Sequence, residues 1–310
     1  MELHRYPQFY PDRLVDLIAH HLRIPADAVV VGNGATGVAM QFLHACTRPG
    51  ERVVYATPTF DGYPIMLGMV GAVGVPVPLD ASAVHDLSAM ASEVDLDTRA
   101  VVVCRPHNPT GTLITDELLD QFITALPSHV FVVLDEAYVE FVNAASRPDS
   151  LHLIERYPNL LVLRTFSKAY GLAALRVGYG FGHPNLIRQL RSQQFPFGMN
   201  GLAEPAVRAS LRAHTELSDR IDTISRIRDR LRTRLMSLGL DVPASHGNFL
   251  WLACGDIATY RQALERHGIQ ARYYDAGIRL TIGDDQDSAR VMAALGTLSR
   301  HEPVQKTEDE

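Results

Sequence analysis

The sequence is almost without lysine. Only two of its 29 basic residues are lysines, Lys168 and Lys306. Arginine stays protonated and forms no Schiff base, so a lysine kept in such a chain indicates a position that needs a reactive amine. Lys306 lies in the polar segment 301–310, which we predict to be a disordered tail. Lys168 is therefore the candidate, although a lysine left by codon bias remains an alternative at this point.

Other scarcities exclude whole classes of protein. The cysteines at positions 46, 104 and 254 form no Cys-x-x-Cys pair, which suits a reducing compartment and argues against a structural zinc site. No His-Glu-x-x-His motif occurs, so we predict no metal site. A net charge of −6 gives no basic footprint for nucleic acid, and no apolar run is long enough to cross a membrane. The first residues resemble no signal peptide, so we expect a cytoplasmic protein.

Short β-branched runs alternate with helical patterns through most of the chain. We predict strands at 28–31, 52–55, 74–78, 100–104, 130–134, 160–164 and 177–181. Helical patterns cover 12–22, 38–45, 62–70, 116–126 and 186–193. Strands joined by crossover helices indicate an α/β domain with a mostly parallel sheet, flanked by helices on both faces.

A long helical stretch that begins near Leu202 leads into a second unit. This unit contains predicted strands at 249–253 and 279–281 and helices at 258–267 and 287–298, as expected for a smaller C-terminal α+β domain. We therefore predict an N-terminal segment at 1–24, a large domain at 25–205 and a small domain at 206–300, before the tail at 301–310.

A glycine loop follows the first predicted strand. Residues 32–37, Gly-Asn-Gly-Ala-Thr-Gly, match the pattern G-x-G-x-x-G, whose backbone N–H groups bind an anion at a helix N-terminus. A dinucleotide site would also need an acidic residue about twenty residues further on, at the end of the second strand. That strand ends in residues 55–58, Tyr-Ala-Thr-Pro, and no acid follows until Asp61. The loop therefore predicts a phosphate site and disfavours an NAD-dependent dehydrogenase of the Rossmann type.

Three more motifs follow predicted strand ends. Asn108-Pro109-Thr110-Gly111 follows strand 100–104, Asp135 and Tyr138 follow strand 130–134, and the segment 165–168, Thr-Phe-Ser-Lys, follows strand 160–164. Each alone could be a turn, a helix cap or an ordinary loop. An open α/β sheet keeps its ligand at this edge, however, and there an amine, an acid, an amide and an anion site would meet. Pyridoxal phosphate requires this combination of groups.

With these motifs the sequence resembles the fold-type I pyridoxal-phosphate aminotransferases, most closely the histidinol-phosphate and aromatic aminotransferase group. The resemblance extends over about residues 3–298, through N-P-T-G, D-E-A-Y and S-K-x-x-x-L-x-x-x-R in the family's order and spacing. It implies the PLP-transferase fold, pyridoxal 5'-phosphate as cofactor, and a homodimer with shared active sites.

The resemblance also implies roles for individual residues around the cofactor. Lys168 would form the Schiff base with the cofactor and later move the proton, and Asp135 would pair with the pyridine nitrogen. Tyr138 and Asn108 would hydrogen-bond the phenolic oxygen, and Phe60 would stack on the ring. The cofactor phosphate would be held by residues from two loops and by a tyrosine of the neighbouring subunit, namely Gly34, Ala35, Thr36, Thr165, Ser167, Arg176 and Tyr6.

Substrate contacts are implied in the second domain. Arg279, within the apolar segment 278–282, matches the arginine that grips the substrate α-carboxylate, and Asn248 matches an asparagine near it. Arg272 matches an arginine that contacts the substrate phosphate in histidinol-phosphate enzymes. Relatives usually begin with an additional arm that helps to close the site, and this sequence begins after it. We therefore expect a more open pocket, or another segment in that role.

The predicted function is transfer of an amino group between an amino acid, of the histidinol-phosphate or aromatic type, and a 2-oxo acid. A decarboxylase of a phosphorylated amino acid, such as threonine phosphate, is the first alternative, and a cyclase or lyase of secondary metabolism is another. A non-catalytic protein that merely binds the cofactor stays open as well.

Overall fold

The computed structural model describes residues 4–296 and Leu298. The helices are α1 Asp12–Leu22, α2 Gly34–Cys46, α3 Gly62–Val70, α4 Leu87–Ser92, α5 Asp116–Ala125, α6 Ser150–Arg156, α7 Pro184–Arg191, α8 Ala203–Arg212, α9 His214–Met236, α10 Ile257–Arg266 and α11 Asp285–Leu295. The strands are β1 Val29–Asn33, β2 Arg52–Thr57, β3 Val73–Pro78, β4 Thr98–Cys104, β5 Phe131–Asp135, β6 Leu160–Thr165, β7 Val177–Gly182, β8 Phe249–Ala253, β9 Arg272–Tyr274 and β10 Gly277–Thr281.

The larger of the two sheets has seven strands in the order β1-β7-β6-β5-β4-β2-β3. Strands β2 to β6 pair in parallel, whereas β7 runs antiparallel to its neighbours β1 and β6. The carboxyl ends of β1, β4, β5 and β6 and the start of β7 therefore meet at one edge. The predicted α/β class with a mostly parallel sheet is confirmed.

Helices cover both faces of this sheet. Successive residues of a strand point to opposite faces, so neighbouring residues pack into different layers. Val29 and Val31 pack into one apolar layer with α1, α5 and α8, while Val30 packs into the other with α2, α3 and α7. Continuous Val and Leu runs, rather than alternating ones, are what a strand covered on both faces requires. The rigid sheet holds the loops at its edge in fixed positions.

The second sheet has three antiparallel strands in the order β8-β10-β9. Its apolar face packs against α9, α10 and α11 through a separate core that includes Leu231, Leu250, Leu264 and Leu280. The predicted boundary between residues 205 and 206 stays a prediction, and the tail at 301–310, with Lys306, lies outside the described residues.

Two elements differ from the sequence prediction. The stretch from Leu202 is two helices, since α8 ends at Arg212 and the chain bends at Ala213 before α9. Helix α2 begins at Gly34, four residues before the predicted start, because packing against the sheet overrides the low helix propensity of glycine. The early start brings the backbone N–H groups of the glycine loop to the helix N-terminus.

The described residues contain neither a candidate membrane-spanning helix nor a candidate metal-binding cluster, and their cysteines form no disulfide. No helix in the described part of the chain is both long and apolar enough to cross a membrane. Within the same residues no group of three or more His, Cys, Asp or Glu side chains could hold a metal ion. Cys46, Cys104 and Cys254 are free thiols.

Candidate active site

A cavity of about 240 Å³ opens at the edge where the carboxyl ends of β4, β5 and β6 meet. Most of the residues predicted for the cofactor line it: Ala35, Thr36, Phe60, Asn108, Asp135, Tyr138, Thr165, Ser167, Lys168 and Arg176. Tyr63, Met66, Cys104, Pro106 and Leu163 line it as well, although the sequence analysis did not single them out. Motifs that are far apart in the sequence thus surround one space.

One end of the cavity is built to bind an anion. The N-terminal turn of α2 points its free N–H groups there, and Gly34 adopts a positive φ of 77°, which favours glycine. A Cβ atom at Gly34 would overlap the guanidinium of Arg176, and one at Gly178 would overlap the backbone of Ala35. These glycines therefore let the loop, strand β7 and Arg176 approach closely enough to share a ligand.

The arginine and two hydroxyl groups complete this end. Arg176 Nη1 donates to the carbonyl oxygen of Ala173 at 2.9 Å, which fixes the guanidinium beside the helix N-terminus. Thr165 Oγ1 donates to Ser167 Oγ at 2.9 Å and accepts from the Ser167 backbone at 3.1 Å. A cation, two hydroxyl groups and a helix N-terminus are a donor set suited to a phosphate group.

Asp135 also lines the cavity, and its partner Tyr63 was missed by the sequence analysis. Tyr63 OH donates to Asp135 Oδ2 at 2.7 Å, while the Ala137 backbone donates to Oδ1 at 3.1 Å. Burial raises the pKa of Asp135, and these two hydrogen bonds oppose the rise by stabilising the ionised form. Burial and the nearby carboxylate raise the pKa of Tyr63 in turn, so it remains a donor.

Lys168 lines the same cavity. Its Nζ is 5.2 Å from the ring centroid of Tyr138, which is itself fixed edge-to-face against Phe249 at 4.9 Å. The positive amine also counteracts the rise in the pKa of Asp135. The amine is thus held beside an aromatic face and within electrostatic range of the buried acid.

Phe60 forms one wall of the cavity. A Cβ atom at Gly62 would overlap the Phe60 ring, so the glycine leaves room for the ring to lie over the start of α3. The Phe60 ring meets that of Tyr63 edge-on at 5.8 Å. The position suits the predicted stacking role.

The two sheets are connected at the site by one hydrogen bond. Arg279 Nη1 on β10 donates to Asn108 Oδ1 at 2.7 Å. Arg279 Nε is buried without a hydrogen-bond partner among the described residues. A buried guanidinium with an unused donor indicates that a ligand acceptor, such as a carboxylate, completes this position.

A buried ion-pair network lies behind the site. Arg105, which is fully buried, donates to Glu136 at 3.0 Å, and Arg164 donates to the same carboxylate at 2.8 Å. The Arg105 backbone donates to the carbonyl of Asp135 at 2.8 Å. These contacts fix the start of the loop that carries Asn108 relative to the end of β5.

Five of the predicted residues are not among those that line the cavity: Gly34, Tyr6, Asn248, Arg272 and Arg279. Gly34 directly precedes Ala35, and Arg279 reaches Asn108. Tyr6 is 84% exposed and packs on Phe197, with ring centroids 5.1 Å apart. Asn248 contributes its backbone carbonyl to Ile282 at 2.9 Å. Arg272 forms an ion pair with Asp61 at 2.6 Å. Their predicted roles stay predictions.

Comparison with known proteins identifies the family. The pattern of aminotransferase class I and II matches residues 1–295. An aromatic amino acid aminotransferase of Thermobifida fusca is 42% identical, covering 94% of this chain and 82% of that protein. The enzyme of the same name from Streptomyces avermitilis is 40% identical, covering 91% of this chain and 79% of that protein.

Solved structures agree. The histidinol-phosphate aminotransferase of Sinorhizobium meliloti, determined in complex with pyridoxal 5'-phosphate, superimposes with a TM-score of 0.86 at 27% identity. The match covers 96% of this chain and 84% of that one. An L-threonine-O-3-phosphate decarboxylase of Porphyromonas gingivalis shares the fold, with a TM-score of 0.82 at 22% identity over 96% of this chain and 91% of that one. The family resemblance is confirmed, and this chain belongs to the class I and II aminotransferases.

Proposed function

We propose that this aminotransferase uses pyridoxal 5'-phosphate to move an amino group between an aromatic amino acid and a 2-oxo acid. The observation that carries the proposal is the single cavity shared by the amine of Lys168, the buried acid Asp135 and the anion-binding turn of α2. The aromatic substrate class is supported by relatives named for it at 42% and 40% identity.

The residues of the cavity fit this cofactor. Burial raises the pKa of Asp135, and a cationic partner such as a pyridinium would stabilise its ionised form. Arg176, the two hydroxyl groups and the α2 N-terminus fit a phosphate at one end of the cavity. Asn108 and Tyr138 would contact the phenolic oxygen, and Phe60 the ring face.

When bound, pyridoxal phosphate supplies an aldehyde for the amino group and a ring that accepts electrons from the broken Cα bond. Lys168 would take the proton from Cα and deliver it to the carbon of the cofactor's aldehyde group. Asp135, ionised and held by Tyr63, keeps the positive charge at the pyridine nitrogen. Arg279 and Asn108 hold the α-carboxylate, so that the hydrogen on Cα faces Lys168.

Decarboxylation of the donor remains the alternative within the fold. A carboxylate gripped by Arg279 and Asn108 is retained, whereas decarboxylation needs that carboxylate free to leave. The pair of Arg279 and Asn108 at 2.7 Å therefore supports amino transfer. Measuring released CO₂ against released 2-oxo acid separates the two reactions.

We also propose a homodimer. Large apolar side chains are exposed together near the N-terminal segment, and such patches mark interaction surfaces. The exposed members are Tyr6, Phe9, Tyr10, Phe195 and Phe197. A second subunit covering this patch would bring Tyr6 toward the neighbouring phosphate end, as the family resemblance implies. Sedimentation of Tyr6→Ser/Phe195→Ser against the unaltered chain tests the patch: monomers are expected, and an unchanged dimer would contradict it.

We also propose that the large domain ends at residue 205 and the small domain begins at residue 206, and that the protein is cytoplasmic. Limited proteolysis near Ala213 tests the first, and fractionation of the source cell tests the second.

The function itself is tested by incubating the purified holoenzyme with L-phenylalanine and 2-oxoglutarate. Release of phenylpyruvate together with glutamate is the expected result. Release of CO₂ instead, or no reaction with any amino donor, would contradict the proposal.

A further inference from the structure

Two arginines stand side by side on the small sheet. Arg272 on β9 and Arg279 on β10 are directly paired in the antiparallel register. Paired residues of this kind project from the same face of a sheet, with Cβ atoms about 5 Å apart. The hydrogen bond from Arg279 to Asn108 shows that this face points toward the cavity. The region around the donor therefore has two guanidinium groups.

The two arginines have different partners. Arg279 is bonded to a neutral amide, so its charge is available to an anionic ligand. Arg272 is paired with the carboxylate of Asp61 at 2.6 Å, which neutralises it. The side chains of Arg272 and Asp61 are 57% and 42% exposed, so the pair is open to solvent.

Asp61 contacts Arg272 instead of capping the helix that it precedes. It occupies the N-cap position of α3, where an aspartate ordinarily accepts a hydrogen bond from the first turn of the helix. Here it makes no capping bond, and its carboxylate instead forms an ion pair with Arg272 on the small sheet. Asp61 also directly follows Phe60, which lines the cavity, so the ion pair with Arg272 lies next to the cavity wall.

From these contacts we propose that Asp61 determines donor specificity by occupying Arg272, so that amino donors with phosphorylated or otherwise dianionic side chains are rejected. A dianion reaching Arg272 would have to displace Asp61 and remain next to its negative charge, and like charges at such a separation repel. Donors with uncharged side chains meet no such opposition. This inference rests on the proposed function and narrows its substrate class.

The test compares the unaltered holoenzyme with Asp61→Asn, an isosteric change that removes only the charge. The measured ratio is kcat/KM for O-phospho-L-serine over kcat/KM for L-phenylalanine. We expect the ratio to rise by about tenfold or more in Asp61→Asn, with the value for L-phenylalanine changed by less than about threefold.

Two further variants act as controls. Asp61→Asn/Arg272→Gln is expected to lose the gain, because the phosphate then has no freed cation to bind. Asp285→Asn breaks an ion pair of the same length, 2.6 Å to Arg230, on the far surface of the small domain, and its ratio is expected to stay unchanged. A gain that persists in the double variant, or that Asp285→Asn reproduces, would overturn the inference.

Calorimetric binding of O-phospho-L-serine to the same holoenzymes provides a readout that needs no turnover. The dissociation constant is expected to fall by about tenfold in Asp61→Asn. An unchanged constant would refute the role of Asp61. An enzyme that shows the calorimetric effect but transfers no amino group from any donor would contradict the proposed function while supporting the inference.

Discussion

The two sides of the site are built differently. On the cofactor side, Asp135 is held by hydrogen bonds from the buried Tyr63 and from the Ala137 backbone, and Lys168 lines the same cavity. The substrate side, formed by Arg272 and Arg279 on the small sheet, is more open, and each arginine is held across the gap by one partner. A fixed cofactor side suits chemistry common to the family. On the open side, the gain or loss of a single charge can change which donor binds.

Replacing Lys168 is expected to have the largest effect. Lys168→Arg keeps a positive charge but removes the amine that moves the proton, so amino transfer should fall by about ten-thousandfold. The matched control is Lys306→Arg, at the only other lysine of the sequence, which should keep full activity. Initial rates of phenylpyruvate release measure both. Comparable losses in the two variants would refute the role of Lys168.

The second prediction concerns stability. Glu136→Gln removes the carboxylate that Arg105 and Arg164 share and leaves Arg105 with Asp116 alone, so the free energy of unfolding should fall by about 3 kcal/mol. Asp61→Asn removes a half-exposed pair and should cost less than about 1 kcal/mol. Urea denaturation of the two variants compares the two sides directly. Equal losses would contradict the contrast between them.

Arg279→Ala is expected to act on binding. Losing a charge-assisted bond to the donor carboxylate should raise KM by about thirtyfold for every amino acid donor. Arg230→Ala, at an exposed arginine on the far surface, is the control and should leave KM unchanged. If only phosphorylated donors were affected, Arg279 and Arg272 would have the reverse of their proposed roles.

Tyr63→Phe is expected to have the smallest effect. Without the Tyr63 hydroxyl the pKa of Asp135 rises further, because the hydrogen bond favours the ionised form. The ionised acid then persists only at higher pH, so the acid limb of the kcat profile should shift upward and kcat should fall by about tenfold near neutrality.

Tyr157→Phe removes a similar tyrosine-to-aspartate bond, 2.6 Å to Asp120, far from the site. Its pH profile should match that of the unaltered enzyme. A profile that moves equally in both variants, or in neither, would count against Tyr63 as a positioning residue.

The sequence predicted the cofactor side more completely than the substrate side. Lys168, Asp135, Asn108 and Arg176 belong to short motifs at strand ends, and the sheet topology alone brings strand ends together. Tyr63 was missed because its partner lies 72 residues away and only packing brings the two together. The same applies to Asp61 at the start of α3 and Arg272 on β9, which are far apart in the sequence.

The predicted strands of the large sheet lie close to the observed ones, because Val-rich runs are typical of buried strands. The bend at Ala213 carries no Gly or Pro, so periodicity alone predicted one long helix there. The early start of α2 depends on glycines that allow close packing and, at Gly34, a positive φ, neither of which periodicity reveals.

The central claim is that Lys168 holds pyridoxal phosphate in this cavity. Borohydride reduction of the holoenzyme, followed by peptide mapping with mass spectrometry, tests it most directly, since the sequence has only Lys168 and Lys306 as lysine side chains. We predict a pyridoxyl group on Lys168 and none on Lys306. Labelling of Lys306, or an unlabelled Lys168 in a chain that binds the cofactor, would contradict the account.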